Sequence, residues 1–266
     1  MKFSRIKKED FDKVKTLQPE GWSDIIAEFE FHLNSGYSNP IKVTIDEDII
    51  GVGVSAQFRK TAWLDEIIVH NNHRNKGIGL EIVKQLLSDL ELNSVESVLL
   101  IATPLGESVY KKLGFRKISE YVQLKKVRPV NSIEKSDKII PYENRFYSEL
   151  INLDKEISGE TREPIIKEHL TNCWIYYDKE IKGYYLPTLS EGPIMAVSAL
   201  AGTELMNKKL SGMDSVILPN ENKNCINYLL ENGFDKPNVI GKRMIRGKDI
   251  DWKPDCIYSR VGGNFG

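Results

Sequence analysis

Cysteine is scarce in this sequence: Cys173, Cys225 and Cys256 are far apart and all in the second half. An odd, scattered set builds no disulfide framework and has no metal-ligand spacing, so it suits a reducing cytoplasm. Histidine is nearly as sparse. Of His32, His70, His73 and His169, only His70 and His73 are close in sequence. They fall in an expected loop rather than on one helical face, so neither zinc nor another metal is expected. An excess of charge is also missing. Lys and Arg total 37 against 38 for Asp and Glu, and the pairs Lys7-Lys8 and Lys125-Lys126 are too short to form the basic stripe of a nucleic-acid binder. No apolar run approaches the roughly 20 residues that cross a bilayer. The opening Met-Lys-Phe-Ser-Arg lacks the apolar segment of a secretory leader, so no membrane partner is expected.

What is present is an ordinary globular composition, 41% hydrophobic and 28% charged over 266 residues, long enough for two domains with a core each. Helical patterning is expected over residues 8–17 and 22–33. An alternating segment at 42–45, the acidic turn Asp46-Glu47-Asp48 and a β-branched run at 49–58 read as a hairpin. A further strand is expected at 61–69. Residues 77–90 place Ile78, Ile82, Val83, Leu86, Leu87 and Leu90 at helical spacing with one buried face. An apolar strand at 95–102, a short helix at 106–113 and a closing strand pair at 115–124 complete the first half. Two prolines among polar residues mark a linker within 125–144, giving domains 1–128 and 129–266.

Beyond the linker the pattern partly recurs. Ile45-Asp-Glu-Asp-Ile-Ile-Gly51 has a counterpart in Tyr177-Asp-Lys-Glu-Ile-Lys-Gly183, and Tyr110-Lys-Lys-Leu-Gly114-Phe115 has one in Leu229-Leu-Glu-Asn-Gly233-Phe234. Two matches in the same order point to a diverged internal duplication.

The segment from Val69 to Leu80, His-Asn-Asn-His-Arg74-Asn75-Lys76-Gly77-Ile78-Gly79 between its ends, lies between a strand and an amphipathic helix. Gly77 and Gly79 let backbone approach a ligand, the amides at the helix start form an anion cradle, and Arg74 and Lys76 add positive charge. A diphosphate fits such a place. A dinucleotide fingerprint would need a third glycine at Ile82, and a P-loop would need Lys-Ser/Thr where Leu80-Glu81 stands. Taken alone, the two glycines could simply cap a turn.

They are followed, after an apolar strand, by Tyr110-x-x-x-Gly114-Phe115. With that second motif the sequence resembles the GNAT superfamily of N-acetyltransferases. Arg74-x-x-Gly77-x-Gly79 is similar to the family's pyrophosphate motif, and the 61–69 strand stands where its cofactor-pairing strand belongs. The resemblance covers about residues 40 to 120. It implies an α/β (mixed α+β) fold of tandem GNAT-like domains, each a central, mostly antiparallel twisted sheet flanked by helices, the second degenerate. It also implies acetyl-CoA as cosubstrate: two strands splay apart, and the pantetheine arm pairs with backbone at Ile67, Ile68 and Val69. Arg74, Asn75, Lys76, Gly77, Ile78, Gly79 and Leu80 would hold the pyrophosphate. Thr103 stands where many members carry a cofactor-touching Asn, and its hydroxyl can replace one of that amide's hydrogen bonds.

Acetyl transfer to an amine needs a base, an oxyanion donor and an acid for the departing thiolate. Tyr110 occupies the family's acid position, the alternative being a packing tyrosine, and Val69 N–H is the natural oxyanion donor. For the base, Asp65 and Glu66 are the candidates. Alternation puts them on opposite faces of the strand, so at most one should face the cleft; a water chain is the third option. The expected acceptor is a small-molecule or peptide amine. A non-catalytic acyl-CoA sensor and a longer-chain acyltransferase are the competing readings. In the second half no Arg-x-x-Gly-x-Gly occurs and Leu229 replaces the tyrosine, so no second cofactor site is expected.

Overall fold

A computed structural model describes residues 1–91, 95–129 and 136–266. The expected linker at 125–144 runs through residues 130–135, which lie outside the described residues. The chain divides into two compact units: residues 1–100, 104–116 and 245–248 form the first, and residues 101–103, 117–244 and 249–266 the second.

The first unit runs β1 (Lys2–Arg5), α1 (Phe11–Lys15), α2 (Ile25–Asn34), β2 (Ser38–Ile45), β3 (Asp48–Phe58), β4 (Thr61–Val69), α3 (Ile78–Glu91), β5 (Ser97–Ala102) and α4 (Glu107–Lys112). Its strands lie in the order β1-β2-β3-β4-β5. Neighbours are antiparallel up to β4, and the β4–β5 pair is parallel. The β2–β3 hairpin closes at Ile45↔Asp48 with Asp46 at φ 52°, a left-handed position that a short polar side chain tolerates. Asp24 starts α2 by accepting the Ile26 N–H at 3.0 Å, a side-chain cap that satisfies an otherwise unpartnered helix-start amide.

Helices cover both faces of this sheet. On one, Ile82, Val83 and Leu86 of α3 are fully buried, each such side chain contributing about 1.5–3 kcal/mol. The helix comes close because β3 carries glycines beneath it: a Cβ at Gly53 would lie 2.6 Å from Ile82 Cγ2, and one at Gly51 2.9 Å from Ile82 Cδ1. On the other face Val14 of α1, together with Ile25 and Phe29 of α2, packs against Val52, Val54 and Ile68.

The second unit contains β6 (Arg116–Lys125), β7 (Ile139–Pro141), α5 (Tyr147–Ser158), α6 (Glu163–Ile166), β8 (Trp174–Asp178), β9 (Glu180–Tyr185), β10 (Ile194–Ala196), α7 (Ala199–Leu210), β11 (Ser215–Pro219), α8 (Lys223–Glu231), β12 (Asn238–Gly247) and β13 (Ile257–Ser259). Its strands form the orders β12-β6-β11 and β13-β10-β9-β8-β7. The recurrence seen in the sequence has a structural counterpart. Gly183 on β9 sits below α7, where a Cβ would meet Ala196 of β10 at 2.7 Å and Leu205 of α7 at 3.0 Å, as Gly51 sits below Ile82. Phe234 N–H donates to Leu229 O at 3.1 Å, as Phe115 N–H does to Tyr110 O at 3.1 Å. Gly233 and Gly114 both turn with positive φ, 89° and 82°.

Two sequence expectations need correction, and one strand was not expected. Residues 8–17 form a 3-10 turn at Lys8–Asp10 and then α1, which ends at Lys15. The closing strand pair at 115–124 is the single strand β6. A first strand, β1, pairs with β2, although its four residues, Lys-Phe-Ser-Arg, are too few and too polar to show a period.

Candidate active site

The ladder between β4 and β5 covers Thr61↔Ser97, Ala62↔Val98 and Trp63↔Leu99, whereas β4 continues to Val69. Past Trp63, then, β4 keeps its β3 partner while its ladder to β5 ends, as the resemblance implies for two strands that splay apart. His70 N–H donates to Ile50 O at 2.9 Å. By the alternation of an antiparallel ladder, Val69, opposite Gly51, therefore turns its N–H and C=O away from β3. Arg74 confirms that direction: its Nε–H reaches Val69 O at 3.2 Å.

Alternation breaks inside β4. The register shifts between Val52↔Ile68 and Val54↔Asp65, so Glu66 and Ile67 together oppose Gly53, and Glu66 takes φ 50°. This is a β-bulge, which re-aims side chains. Ile67 points toward α3, its Cδ1 being 2.9 Å from a Cβ placed on Gly53, while Ile68 joins the cluster under α1 and α2. The bulge interrupts the strict alternation on which the expectation of opposite faces for Asp65 and Glu66 rested. Asp65 lies against α2, with Oδ2 3.6 Å from His32 Nε2. Glu66 is buried, and its carboxyl is pushed well above the ordinary range first by burial, then by the charges of Asp65 and of Glu28 on α2.

Between β4 and α3 the chain makes a 3-10 turn at Asn71–His73, then passes through Asn75 at φ 61° and Gly77 at φ 82°. Arg74, Asn75, Lys76 and Gly77 are exposed, Ile78 is buried, and Gly79 and Leu80 are half-buried. Lys76 Nζ donates to Asn72 O at 3.1 Å, which folds the loop over itself. The first helical bond of α3 is Glu81 N–H to Gly77 O at 3.1 Å. The N–H groups of Ile78, Gly79 and Leu80 precede it and point out along the helix axis, where the dipole favours an anion. A Cβ at Gly77 would meet nothing within 4 Å. The need for glycine there comes from φ and from the space in front of the loop, not from protein packing.

Tyr110 lies on α4, 9% exposed, with its ring edge-on to Phe115 at 5.9 Å and directly over Gly106, where a Cβ would lie 2.8 Å from Cε2. Its hydroxyl is pushed far above the usual phenol range by burial and then by the charge of Asp65. Asp65 of β4 is thus within electrostatic reach of both Glu66 and Tyr110. Thr103, directly after β5, is exposed.

Two residues that sequence reasoning passed over belong to this neighbourhood. His32 is fully buried on α2, with Nδ1 3.1 Å from Ser38 Oγ and hydrogen-bonded to it. Glu28 precedes it by one turn. Their i,i+4 spacing was the available signal, but the partners, Asp65 and Glu66, are distant in sequence.

The second unit has a helix start of a different kind. β10 ends at Ala196 and α7 begins at Ala199, leaving no room for a cradle, and Ser198 Oγ accepts the Ala201 N–H at 3.1 Å. Leu229, fully buried, stands where the first unit has Tyr110. Among the described residues no group of His, Cys, Asp and Glu could hold a metal ion, and no helix is long and apolar enough to cross a membrane.

Residues 7–131 match the model of the acetyltransferase (GNAT) domain. A provisionally assigned acetyltransferase from Pyrococcus horikoshii superposes with a TM-score of 0.84 at 18% identity, over 100% of this chain and 95% of its own. A tandem GNAT protein from the clavulanic acid biosynthesis pathway gives a TM-score of 0.63 at 12% identity, over 92% and 98%. A GCN5-related N-acetyltransferase from Kribbella flavida gives 0.61 at 14%, over 92% and 70%. No curated protein shows a significant sequence match. At these identities the structures establish the fold, a tandem GNAT-like arrangement of mixed α/β units.

Proposed function

We propose, from the match of residues 7–131 to the acetyltransferase (GNAT) domain, that the chain transfers an acetyl group from acetyl-CoA directly to a primary amine of a small molecule or peptide. The observation that supports this most strongly is the coincidence, in one unit, of the splayed β4 edge, the amides starting α3 and the buried Tyr110 hydroxyl. Cys173 and Cys225 are buried free thiols, which suits the reducing cytoplasm where we place the reaction.

Acetyl-CoA supplies an acetyl thioester and a diphosphate. The N–H groups at the start of α3, with Arg74 and Lys76 beside them, fit the diphosphate. The outward C=O of Val69, together with the backbone of Ile67, fits the amide-bearing arm, whereas Ile68, opposite Val52, turns its N–H and C=O toward β3 by the same alternation. Val69 N–H also serves as donor to the thioester oxygen as it gains charge.

The chain's own residues then handle the protons. An ammonium that becomes an amide sheds two. Tyr110, whose raised pKa keeps it a phenol at neutral pH, protonates the departing thiolate and recovers a proton from the amine nitrogen. The other proton needs a carboxylate. Glu66 holds its proton more strongly than an ordinary carboxyl because it is buried beside two acids, so we assign Asp65 as the group that accepts it. The test is incubation of the full chain with acetyl-CoA and a panel of amines, with N-acetylated products read by mass spectrometry. Acetyl-CoA binding with no product from any aliphatic, aromatic or peptide α-amine would contradict transfer and favour a sensor.

A further inference from the structure

The open edge of β4, to which the amide-bearing arm of acetyl-CoA is assigned above, has a counterpart in the second unit, and there the edge is taken. Ala196 of β10 stands opposite Gly183 as Val69 stands opposite Gly51, so Ile194 corresponds to Ile67. Val197 N–H donates to Lys182 O at 2.9 Å, as His70 N–H does to Ile50 O. By the same alternation Ile194 and Ala196 turn their N–H and C=O away from β9. On that side lies β13, antiparallel to β10, with Ser259 opposite Ile194, Ile257 opposite Met195 and the register shifting between them. β13 also reaches β11, because Arg260 N–H donates to Ile217 O at 3.0 Å. Residues 257–260 thus lie between β10 and β11, the strands on either side of α7 in the chain, as β4 and β5 are on either side of α3.

Side chains of the unit close on this segment. Asn222 is fully buried and stands seven residues before Leu229, as Thr103 stands seven before Tyr110. Its Oδ1 accepts the Cys225 N–H at 2.9 Å, which turns the amide nitrogen toward Ile257 O at 3.0 Å. The position at which the resemblance implies a cofactor-touching amide therefore holds a backbone carbonyl of this chain. The Tyr258 ring lies against Gly202 of α7, where a Cβ would come 2.2 Å from Cζ. Lys209 of α7 donates to Ser259 Oγ at 2.7 Å and to Gly192 O at 2.8 Å, and Arg260 grips both carboxylate oxygens of Glu191 at 2.8 and 2.6 Å. Ile257, Tyr258 and Ser259 are buried.

We infer that residues 257–260 take the place of a pantetheine arm in the second unit: the slot between β10 and β11 accepts an extended, amide-bearing chain, and the protein's own backbone fills it and shuts acyl carriers out. A peptide strand and a pantetheine arm offer a strand edge the same partners, amide N–H and C=O, so one can substitute for the other with β10 unchanged. The first unit leaves its edge open and follows it with an anion cradle. The second covers its edge and follows it with a capped helix.

Hydrogen exchange read by mass spectrometry on the full chain, with D-pantetheine as the probe, tests this. In wild type the amides of 257–260 should exchange as slowly as those of β9, and millimolar D-pantetheine should leave β10 and β11 unchanged. Gly202→Ala favours the helix but drives a methyl into the Tyr258 ring. Exchange at 257–260 and at β10 should then quicken about tenfold or more with β8 and β9 still protected, and D-pantetheine should slow β10 again. Gly202→Ala/Tyr258→Ala removes the clash, so slow exchange and indifference to D-pantetheine should return. Unchanged exchange in Gly202→Ala, or a loss of protection that spreads through β8 and β9, overturns the inference. So does a wild type whose β10 is slowed by D-pantetheine, or an opened Gly202→Ala that D-pantetheine does not protect. Slowing at β4 reports the first unit alone, and a chain that acetylates no amine refutes the transfer reading while these outcomes at β10 and 257–260 are decided separately.

Discussion

Placing an aspartate at position 77 tests the anion cradle with little interference from packing. Gly77 has φ 82°, and a left-handed L-residue costs about 1–2 kcal/mol. Packing does not separate Gly77→Ala from Gly77→Asp, because a Cβ there meets nothing within 4 Å, and the left-handed cost is no larger for aspartate than for alanine. Alanine therefore isolates the backbone strain, and the difference between the variants reports the added charge. A carboxylate about 5 Å from one phosphate charge is repelled by about 1 kcal/mol at a water-like dielectric and about 3 kcal/mol at an effective value of 20. At about 1.4 kcal/mol per decade, acetyl-CoA should bind Gly77→Asp about fivefold to two-hundredfold more weakly than Gly77→Ala. Isothermal calorimetry at low salt measures it, and added salt should shrink the gap. Equal affinities in two folded variants would refute the assignment of the diphosphate to this loop.

Two further outcomes follow from the site. Glu66 has a folded pKa raised above its unfolded value, so its contribution to stability is complete at low pH and is lost as pH rises through the folded pKa. Glu66→Gln, which cannot ionise, should accordingly gain in Tm relative to wild type as pH climbs from about 4.5 toward neutrality; thermal scans showing a constant difference would contradict the burial argument. The capped start of α7 and the leucine at 229 predict one acetyl-CoA per chain, and a calorimetric stoichiometry of two would show that the second unit binds as well.

Much of the first unit was legible in the sequence because its signals are local. The β4 segment 61–69 is β-branched and aromatic between turn residues, and the apolar positions of α3 recur at helical spacing. Gly77, before that helix, marked a left-handed turn of the backbone. The bulge at Glu66 was not legible. A period-two reading carries straight through Asp65-Glu66-Ile67, and only the ladder to Gly53 shows that two residues oppose one. His32 was missed for a related reason: its place on α2 is a local fact, but its meaning comes from Asp65 and Ser38 on other elements. The reading of 115–124 as two strands failed because one unbroken strand runs through polar Lys117, Ser119 and Glu120, which are its exposed or hydrogen-bonded positions. In the second unit, the Gly183 and Gly233 signals were legible because each is fixed by a close approach or a left-handed turn.

The central claim, transfer from acetyl-CoA with Tyr110 as the proton donor, is tested most directly by single-turnover acetylation of a confirmed amine in Tyr110→Phe. The ring and its contact with Phe115 remain, so acetyl-CoA affinity should hold. Loss of a general acid should slow the step about a hundredfold to ten-thousandfold. Single-turnover measurement removes product release from the comparison. A Tyr110→Phe variant that transfers acetyl at the wild-type rate would contradict the account and leave Tyr110 as a packing residue.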